Sequence, residues 1–279
     1  AETDRGPIIV DKTAIASSER EADSKRYVRT YAEGPLYAPV TGYFSSVGNA
    51  STGIEAAEED VLDGQSQTLL GQRLRNLLTG QNRQGGGVEL TLNSQMQKAA
   101  ENALEGYRGA VAVLDPTTGA VLAKASNPSF DLTNVDDAMT SDTTDGSLVD
   151  RATQTLYTPG STFKALSLAA ALDSGTATLE SSYDAPASID IGGAAVTNID
   201  GEEWDSLTLK EALAYSANTV YGQLGTELGA DRLVSYAKAF GYGSKLGQDF
   251  STMASLMPDP SEMTEWETAW AAIGQPVGM

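Results

Sequence analysis

The chain has no histidine and no cysteine among its 279 residues. Those two absences remove the Ser-His-Asp triad, the thiolate nucleophile, the His/Cys zinc site and the disulfide framework. Any covalent catalysis must draw its base from another side chain. Carboxylates are plentiful, at 38 Asp and Glu, but none are spaced like the D-x-D-x-D-G loop of a cation site. The expectation is a chain that needs no metal and no cofactor. Positive charge is scarce: 18 Lys and Arg leave a formal net charge of −20, which excludes nucleic acid as a partner because phosphate binding requires clustered Lys and Arg. No run of ~18 apolar residues is present and no charged-then-apolar leader, so neither a membrane span nor a signal peptide is read within these residues. A hydrophobic content of 41% and a charged content of 20% describe a folded protein sized for one large or two smaller domains.

Residues 1–86 hold short extended candidates at Pro7–Val10 and Tyr37–Tyr43, then helical patterns at Ile54–Leu62 and Leu69–Leu78. Gln84-Gly85-Gly86-Gly87 breaks all periodicity and sets the expected boundary between domains 1–86 and 87–279. Val88–Leu92 alternates as a strand, and Asn93 caps a helix whose apolar face is Met96, Ala99, Ala100, Ala103 and Leu104. A hairpin follows, Ala110–Leu114 and Val121–Ala125, around Asp115-Pro116-Thr117-Thr118-Gly119. Residues 131–150 read as a polar surface excursion. A long Ala/Leu helix then runs to about Leu172, followed by an irregular segment with Gly192-Gly193 and helices at 208–215 and 219–228. This order is α+β rather than alternating βαβ.

Tyr157-Thr158-Pro159-Gly160-Ser161-Thr162-Phe163-Lys164 places a serine three residues before a lysine at a helix start, where the two share a face. A hydroxyl needs a neighbouring base to become a nucleophile. Thr158 as cap and Pro159 as first helical residue would put Ser161 among free backbone N–H groups that favour a developing alkoxide. Lys164 is flanked by Phe163, Ala165, Leu166 and Leu168; desolvation there lowers a lysine pKa and makes the amine a base. The alternative is a solvent-facing lysine with Ser161 merely starting the helix. The S-x-x-K pattern is short, and Ser235-Tyr236-Ala237-Lys238 repeats it inside an amphipathic helix with Leu233 and Phe240, as surface decoration.

Thr208-Leu209-Lys210-Glu211 has the form of a capping box. Its helix runs into Tyr215-Ser216-Ala217-Asn218, which puts Ser216 and Asn218 on a bend between helices. Alone, S-x-N reads as a helix stop and a cap. Beside S-x-x-K it supplies a second hydroxyl for proton relay and an amide to hold a substrate backbone.

Arg5-Gly6-Pro7-Ile8-Ile9-Val10-Asp11, Gly53-Ile54-Glu55, Leu62-Asp63-Gly64, Val88–Leu92, the hairpin Ala110–Ala125, Asn127-Pro128-Ser129-Phe130-Asp131 and Thr158–Lys164 together resemble the class B penicillin-binding proteins, D,D-transpeptidases of the bacterial wall, and in particular their actinobacterial branch. The resemblance implies a small pedestal domain ahead of a serine transpeptidase/β-lactamase-like domain. It implies that Ser161 attacks the penultimate D-Ala carbonyl of a peptidoglycan stem peptide, with Lys164 as acylation base, Ser216 as proton relay and Asn218 binding the substrate amide. It implies β-lactam antibiotics as covalent ligands of Ser161, and a glycosyltransferase or divisome or elongasome protein as partner. The location implied is the extracytoplasmic face of the membrane, held by an anchor outside these residues.

The family's third motif, Lys-Thr-Gly or Lys-Ser-Gly, does not occur: Lys12-Thr13-Ala14 and Gly243-Ser244-Lys245 do not match it. The run Ala271–Met279 resembles the segment preceding that motif, so the C-terminal part of the domain is expected to be missing and these residues alone to be inactive or poorly folded. A D,D-carboxypeptidase, a β-lactamase or β-lactam sensor, and a catalytically silent wall-synthesis scaffold are the alternatives to the transpeptidase reading.

Overall fold

Ile8 and Val10 project from alternate positions of a short run and are 0% and 1% exposed, as the two-residue period of a strand requires when one face meets a core. The structure, a computed structural model, describes residues 3–22, 24, 26–45, 50–71, 78, 84–132, 146–247 and 249–275. These pack as two compact units: residues 1–155 with 247–252, and residues 156–246 with 253–279. The first unit therefore takes in both sides of the Gly85-Gly86-Gly87 stretch. The expected helical pattern at 69–78, most of the excursion at 131–150 and the final residues 276–279 lie wholly or largely outside the described residues.

In the first unit, strands β1 (Ile8–Val10), β2 (Thr13–Arg20) and β3 (Tyr27–Tyr31) form an antiparallel sheet. Helix α1 (Gly34–Thr41) follows, then the two-residue strands β4 (Phe44–Ser45) and β5 (Ala50–Ser51) and the short helices α2 (Gly53–Ala57) and α3 (Glu59–Leu62). β6 (Val88–Glu89) returns parallel to β1, giving the order β3-β2-β1-β6. Helix α4 (Ser94–Ala103) packs on the hairpin of β7 (Gly109–Leu114) and β8 (Val121–Asn127), and α5 (Arg151–Gln154) closes the unit.

Three sequence expectations change here. Tyr37–Tyr43 is not extended but lies largely within α1, despite Pro39 inside the helix. Proline cannot donate the hydrogen bond that residue 39 owes to the carbonyl four residues earlier; Ser129 Oγ donates to Pro35 O at 3.1 Å and takes its place. The strand at Val88–Leu92 shortens to two residues, with Leu90 N still donating to Ile9 O at 2.8 Å. In α4, Asn93 Oδ1 accepts from Met96 N as expected, but Met96 is exposed and Gln97 is buried. The Gln97 amide takes the place of a backbone partner, donating to Leu36 O and Lys124 O and accepting from Lys124 N.

In the second unit a 3₁₀ turn, Gly160–Phe163, leads into α6 (Lys164–Asp173). Strands β9 (Ser182–Ala185), β10 (Ser188–Ile191), β11 (Ala194–Thr197) and β12 (Trp204–Thr208) make two antiparallel pairs, β10-β11 and β12-β9. Helices α7 (Leu209–Tyr215), α8 (Asn218–Leu228), α9 (Ala230–Ala239) and α10 (Glu265–Ile273) complete it. The segment expected to be irregular is the β10-β11 hairpin: both Gly192 and Gly193 have positive φ, the demand of a tight two-residue turn. Val220, Leu224 and Ala272, each 0% exposed, centre the core between α8 and α10. The α10 helix, which sequence reasoning did not mark, starts at a capping box of Thr264 and Glu267.

The first unit is pinned by one carboxylate. Glu55 on α2 is 0% exposed and accepts from Arg5 Nη2 at 2.9 Å, Arg29 Nε at 2.6 Å and Tyr31 OH at 3.2 Å. It thus joins the segment leading into β1, strand β3 and α2. Arg29 also donates to Gly6 O at 2.8 Å. Removing Glu55 from this buried cluster would leave the Arg29 charge uncompensated, while Arg5 keeps Glu59 Oε1 at 2.9 Å. Glu55→Ala is expected to cost about 3–5 kcal/mol in chemical denaturation; a loss below about 1 kcal/mol would mean that the two guanidinium groups are solvated without it.

Candidate active site

Pro159, φ −65°, stands as N-cap of the 3₁₀ turn with no side-chain cap. Gly160 is therefore the first helical residue, and neither Thr158 nor Pro159 takes the position expected from sequence. What holds the turn is remote in sequence: Gly160 N donates to Gly274 O at 2.9 Å. Gly274 ends α10 in the left-handed conformation, φ 88°, and a Cβ there would stand 2.0 Å from Gly160 O. Only glycine fits that contact. Further along, Ser167 Oγ donates to Ala272 O at 2.7 Å, tying α6 to the same end of α10.

Ser161 is exposed, on the second residue of the turn, and its Oγ makes no hydrogen bond to a described residue. Lys164, one position past the turn, is 1% exposed. Its Nζ donates to Ser216 O at 2.6 Å, Ser216 Oγ at 3.0 Å and Asn218 Oδ1 at 2.6 Å. The three donors of an ammonium therefore reach the second motif rather than Ser161. No carboxylate among the described residues pairs with this cation. Desolvation by burial pulls its pKa from 10.5 down to about 8. At pH 7 that raises the neutral fraction from about 0.03% to about 10%, a gain of roughly 300-fold in unprotonated amine.

Ser216 caps α7 in the left-handed region, φ 58° and ψ 38°, a conformation costing a non-glycine residue about 1–2 kcal/mol. The strain is held from several sides. Ala217 N donates to Ala212 O at 2.9 Å and Lys164 grips the Ser216 carbonyl. The preceding ring, Tyr215, stacks on Trp204 with centroids 5.3 Å apart and planes 21° off parallel. The capping box expected at Thr208 and Glu211 is present, both hydrogen bonds included.

Asn218 opens α8 and is 8% exposed. Beyond accepting from Lys164, it donates one Nδ2–H to Thr197 O at 2.8 Å. Next to it, Asn198 is nearly buried and anchors the helix start: its Oδ1 accepts from Thr219 N at 3.0 Å and its Nδ2 donates to Pro186 O and Glu202 O. Ser161, Lys164, Ser216 and Asn218 all lie in the second unit, and the last three converge on one nitrogen. Sequence reasoning missed Asn198, for which no local pattern exists. It also missed Gly274, which the Thr264-x-x-Glu267 box and a glycine after an apolar run would have marked as a helix end. Ser235 and Lys238, the other S-x-x-K pair, are both exposed on α9. No group of acidic side chains suited to a metal occurs among the described residues.

Comparison with known proteins places these residues. The profile described as "Penicillin binding protein transpeptidase domain" matches residues 109–279, and "Penicillin binding protein A dimerisation domain" matches residues 5–88. The peptidoglycan D,D-transpeptidase PbpA of Mycolicibacterium smegmatis is 37% identical over 256 residues, 85% of this chain and 52% of that protein. Escherichia coli MrdA, also named a peptidoglycan D,D-transpeptidase, is 34% identical over 71% of this chain and 34% of its own length. The chain thus spans about half the length of PbpA. Among solved structures, the D,D-transpeptidase domain from Eggerthella lenta superposes with a TM-score of 0.87 at 40% identity, covering 100% of this chain and 64% of that one. Penicillin-binding protein A of M. tuberculosis, as its ceftriaxone acyl-enzyme complex, gives 0.88 at 33% identity, covering 99% and 66%. With its S-x-x-K turn and S-x-N bend in one helical unit, the chain belongs to the penicillin-binding protein transpeptidase family, as a member of class B.

Proposed function

We propose that this chain carries the acylating machinery of a peptidoglycan D,D-transpeptidase. The observation that carries the reading is Lys164: a buried amine without a carboxylate partner, held by the two polar side chains of the second motif and one helical turn from an exposed serine hydroxyl. A structural lysine would be paired with a carboxylate or would reach solvent; this one is desolvated toward neutrality, which suits a base.

When Lys164 is neutral it keeps two N–H donors and gains a lone pair. Ser216 O and Asn218 Oδ1 take the donors at 2.6 Å each, leaving the lone pair to accept a proton from Ser161 directly or through Ser216 Oγ. Ser161 Oγ then attacks the penultimate D-Ala carbonyl of a stem peptide, with the N–H of Ser161 donating to the developing oxyanion. Ser216 returns the proton to the departing D-Ala amine. The second Nδ2–H of Asn218 holds the donor peptide's backbone. The acyl group passes to an amine of a neighbouring stem, making the crosslink. β-Lactams stop at the acyl stage, as the M. tuberculosis protein's acyl-enzyme complexes do. Residues 1–86 form the pedestal and 87–279 belong to the transpeptidase domain. The site faces the extracytoplasmic side of the membrane, alongside a glycosyltransferase or another protein of the division or elongation machinery.

Fluorescent penicillin separates this reading from its relatives, applied to the protein expressed from its whole reading frame. Stable label on Ser161, together with crosslinking of stem peptides to an amine acceptor, is expected. Release of D-Ala with water as acceptor would make it a carboxypeptidase, rapid loss of label a β-lactamase, and no label a silent scaffold. Ser161→Ala is expected to abolish label while the far-ultraviolet circular dichroism is unchanged; label retained on the variant, located by mass spectrometry, would overturn the nucleophile assignment. Acylation is expected to rise with pH to a plateau above about 8, because the amine must lose its proton to act and does so near that pH. Lys164→Ala is expected to lower the rate by ~10²–10⁴. Gly274→Ala, which drives a methyl group into the Gly160 carbonyl, is expected to slow acylation at least tenfold while binding of a non-acylating stem peptide changes less.

A further inference from the structure

The mechanism above leaves one neighbour of Lys164 unused. Tyr221 stands three residues after Asn218 on α8, so the two side chains share a helix face. Its ring centroid is 5.6 Å from Lys164 Nζ, within the range at which an aromatic face attracts a cation. Tyr221 is 0% exposed, and its hydroxyl finds no partner among the described residues. Burial pushes the phenol's pKa far upward, so the group stays neutral and meets the amine as a ring, not as a phenolate. Of the carboxylates on α6 and the helices packed around it, Glu211 bonds Thr208, Glu227 Tyr183, Asp173 Tyr236 and Glu267 Thr264, while Asp231 and Glu265 are exposed in the first turns of α9 and α10.

We propose that Tyr221 is a positioning residue for Lys164, its ring face supplying the attraction that a carboxylate would otherwise supply and holding Nζ against the oxygens of Ser216 and Asn218. Three oxygen acceptors fix the directions of the N–H bonds, and the ring face lies 5.6 Å from the same nitrogen. An aromatic face is well suited to that task because its attraction is weak and carries no charge: a carboxylate at the same place would hold the amine protonated and deprive the hydroxyl of its base. The ring therefore sets how much protonated lysine the site tolerates. The inference rests on Lys164 acting as the acylation base, but it concerns the amine itself and can be read without any turnover.

The test is a titration of Lys164 followed through its Cε carbon by NMR, on the whole protein with ¹³C-labelled lysine, beside the pH profile of acylation by penicillin. Tyr221→Phe keeps the ring face and is expected to leave the Lys164 pKa within about 0.2 unit of the wild type. Tyr221→Leu removes the face that favours the cation and is expected to lower it by about 0.5 to 1.5 units. Phenylalanines carrying one, two or three fluorines at position 221 keep the shape while draining the ring face, so the pKa is expected to fall stepwise. That series serves even where the leucine variant does not fold. An unchanged or raised pKa along the fluorine series, or Phe moving the pKa as far as Leu does, would overturn the proposal. A pKa that falls as expected while the acylation profile stays in place would uphold the ring's role and reject Lys164 as the base.

Discussion

A cation buried with no counter-ion among the described residues is the interaction around which the second unit is organised. Taking an ammonium out of water is costly, and proteins commonly answer with a carboxylate or by letting the proton go. Here neutral oxygens and a ring face surround Nζ, and the pKa settles near 8. The two protonation states of the amine consequently balance near pH 8, with about a tenth of it neutral at pH 7. In a chain with no histidine, a lysine is the side chain brought toward the pH range in which an imidazole titrates.

Such a balance demands a stiff surround, because an acceptor displaced by even 1 Å changes the energy of both states. The stiffness comes from backbone ties rather than side-chain bulk. Gly274 O fixes the turn bearing Ser161, Ala272 O fixes α6 through Ser167, and Asn198 fixes the first residues of α8. Ser216, the one left-handed serine among the described residues, lies between Tyr215, stacked on Trp204, and the Lys164 amine bonded to its carbonyl. Strained backbone of this kind persists where the surroundings over-determine it. The strain at Ser216 has the particular effect of turning its carbonyl and its hydroxyl onto the same nitrogen.

Local chemistry was legible in the sequence where one residue type answers one local need. The Asn93 cap, the Thr208–Glu211 box and the turn before Gly119 are cases in which a side chain satisfies a backbone group a few residues away, and all three stand in the structure. The desolvation of Lys164 was also readable from its apolar flanks. Readings failed where the partner lies far off in the chain. The helix through Pro39 exists because Ser129 supplies the missing donor, and Gln97 is buried because it completes the backbone pairing of Lys124. Gly274 holds the turn bearing Ser161 across more than a hundred residues. A local window contains no trace of these, whereas the resemblance carried the family because it draws on motifs spread along the whole chain.

The change of winding at Lys164 has a geometric consequence of its own. The turn Gly160–Phe163 is 3₁₀ and α-helix begins at the lysine. Three steps of a 3₁₀ helix complete a full revolution, whereas three steps of an α-helix stop about 60° short. The tighter coil therefore brings hydroxyl and amine toward the same azimuth about the axis, and a relaxation of those few residues to α geometry would rotate one away from the other by a sixth of a circle. The angular phase between these two side chains is thus a matter of pitch, set by how tightly four residues are wound.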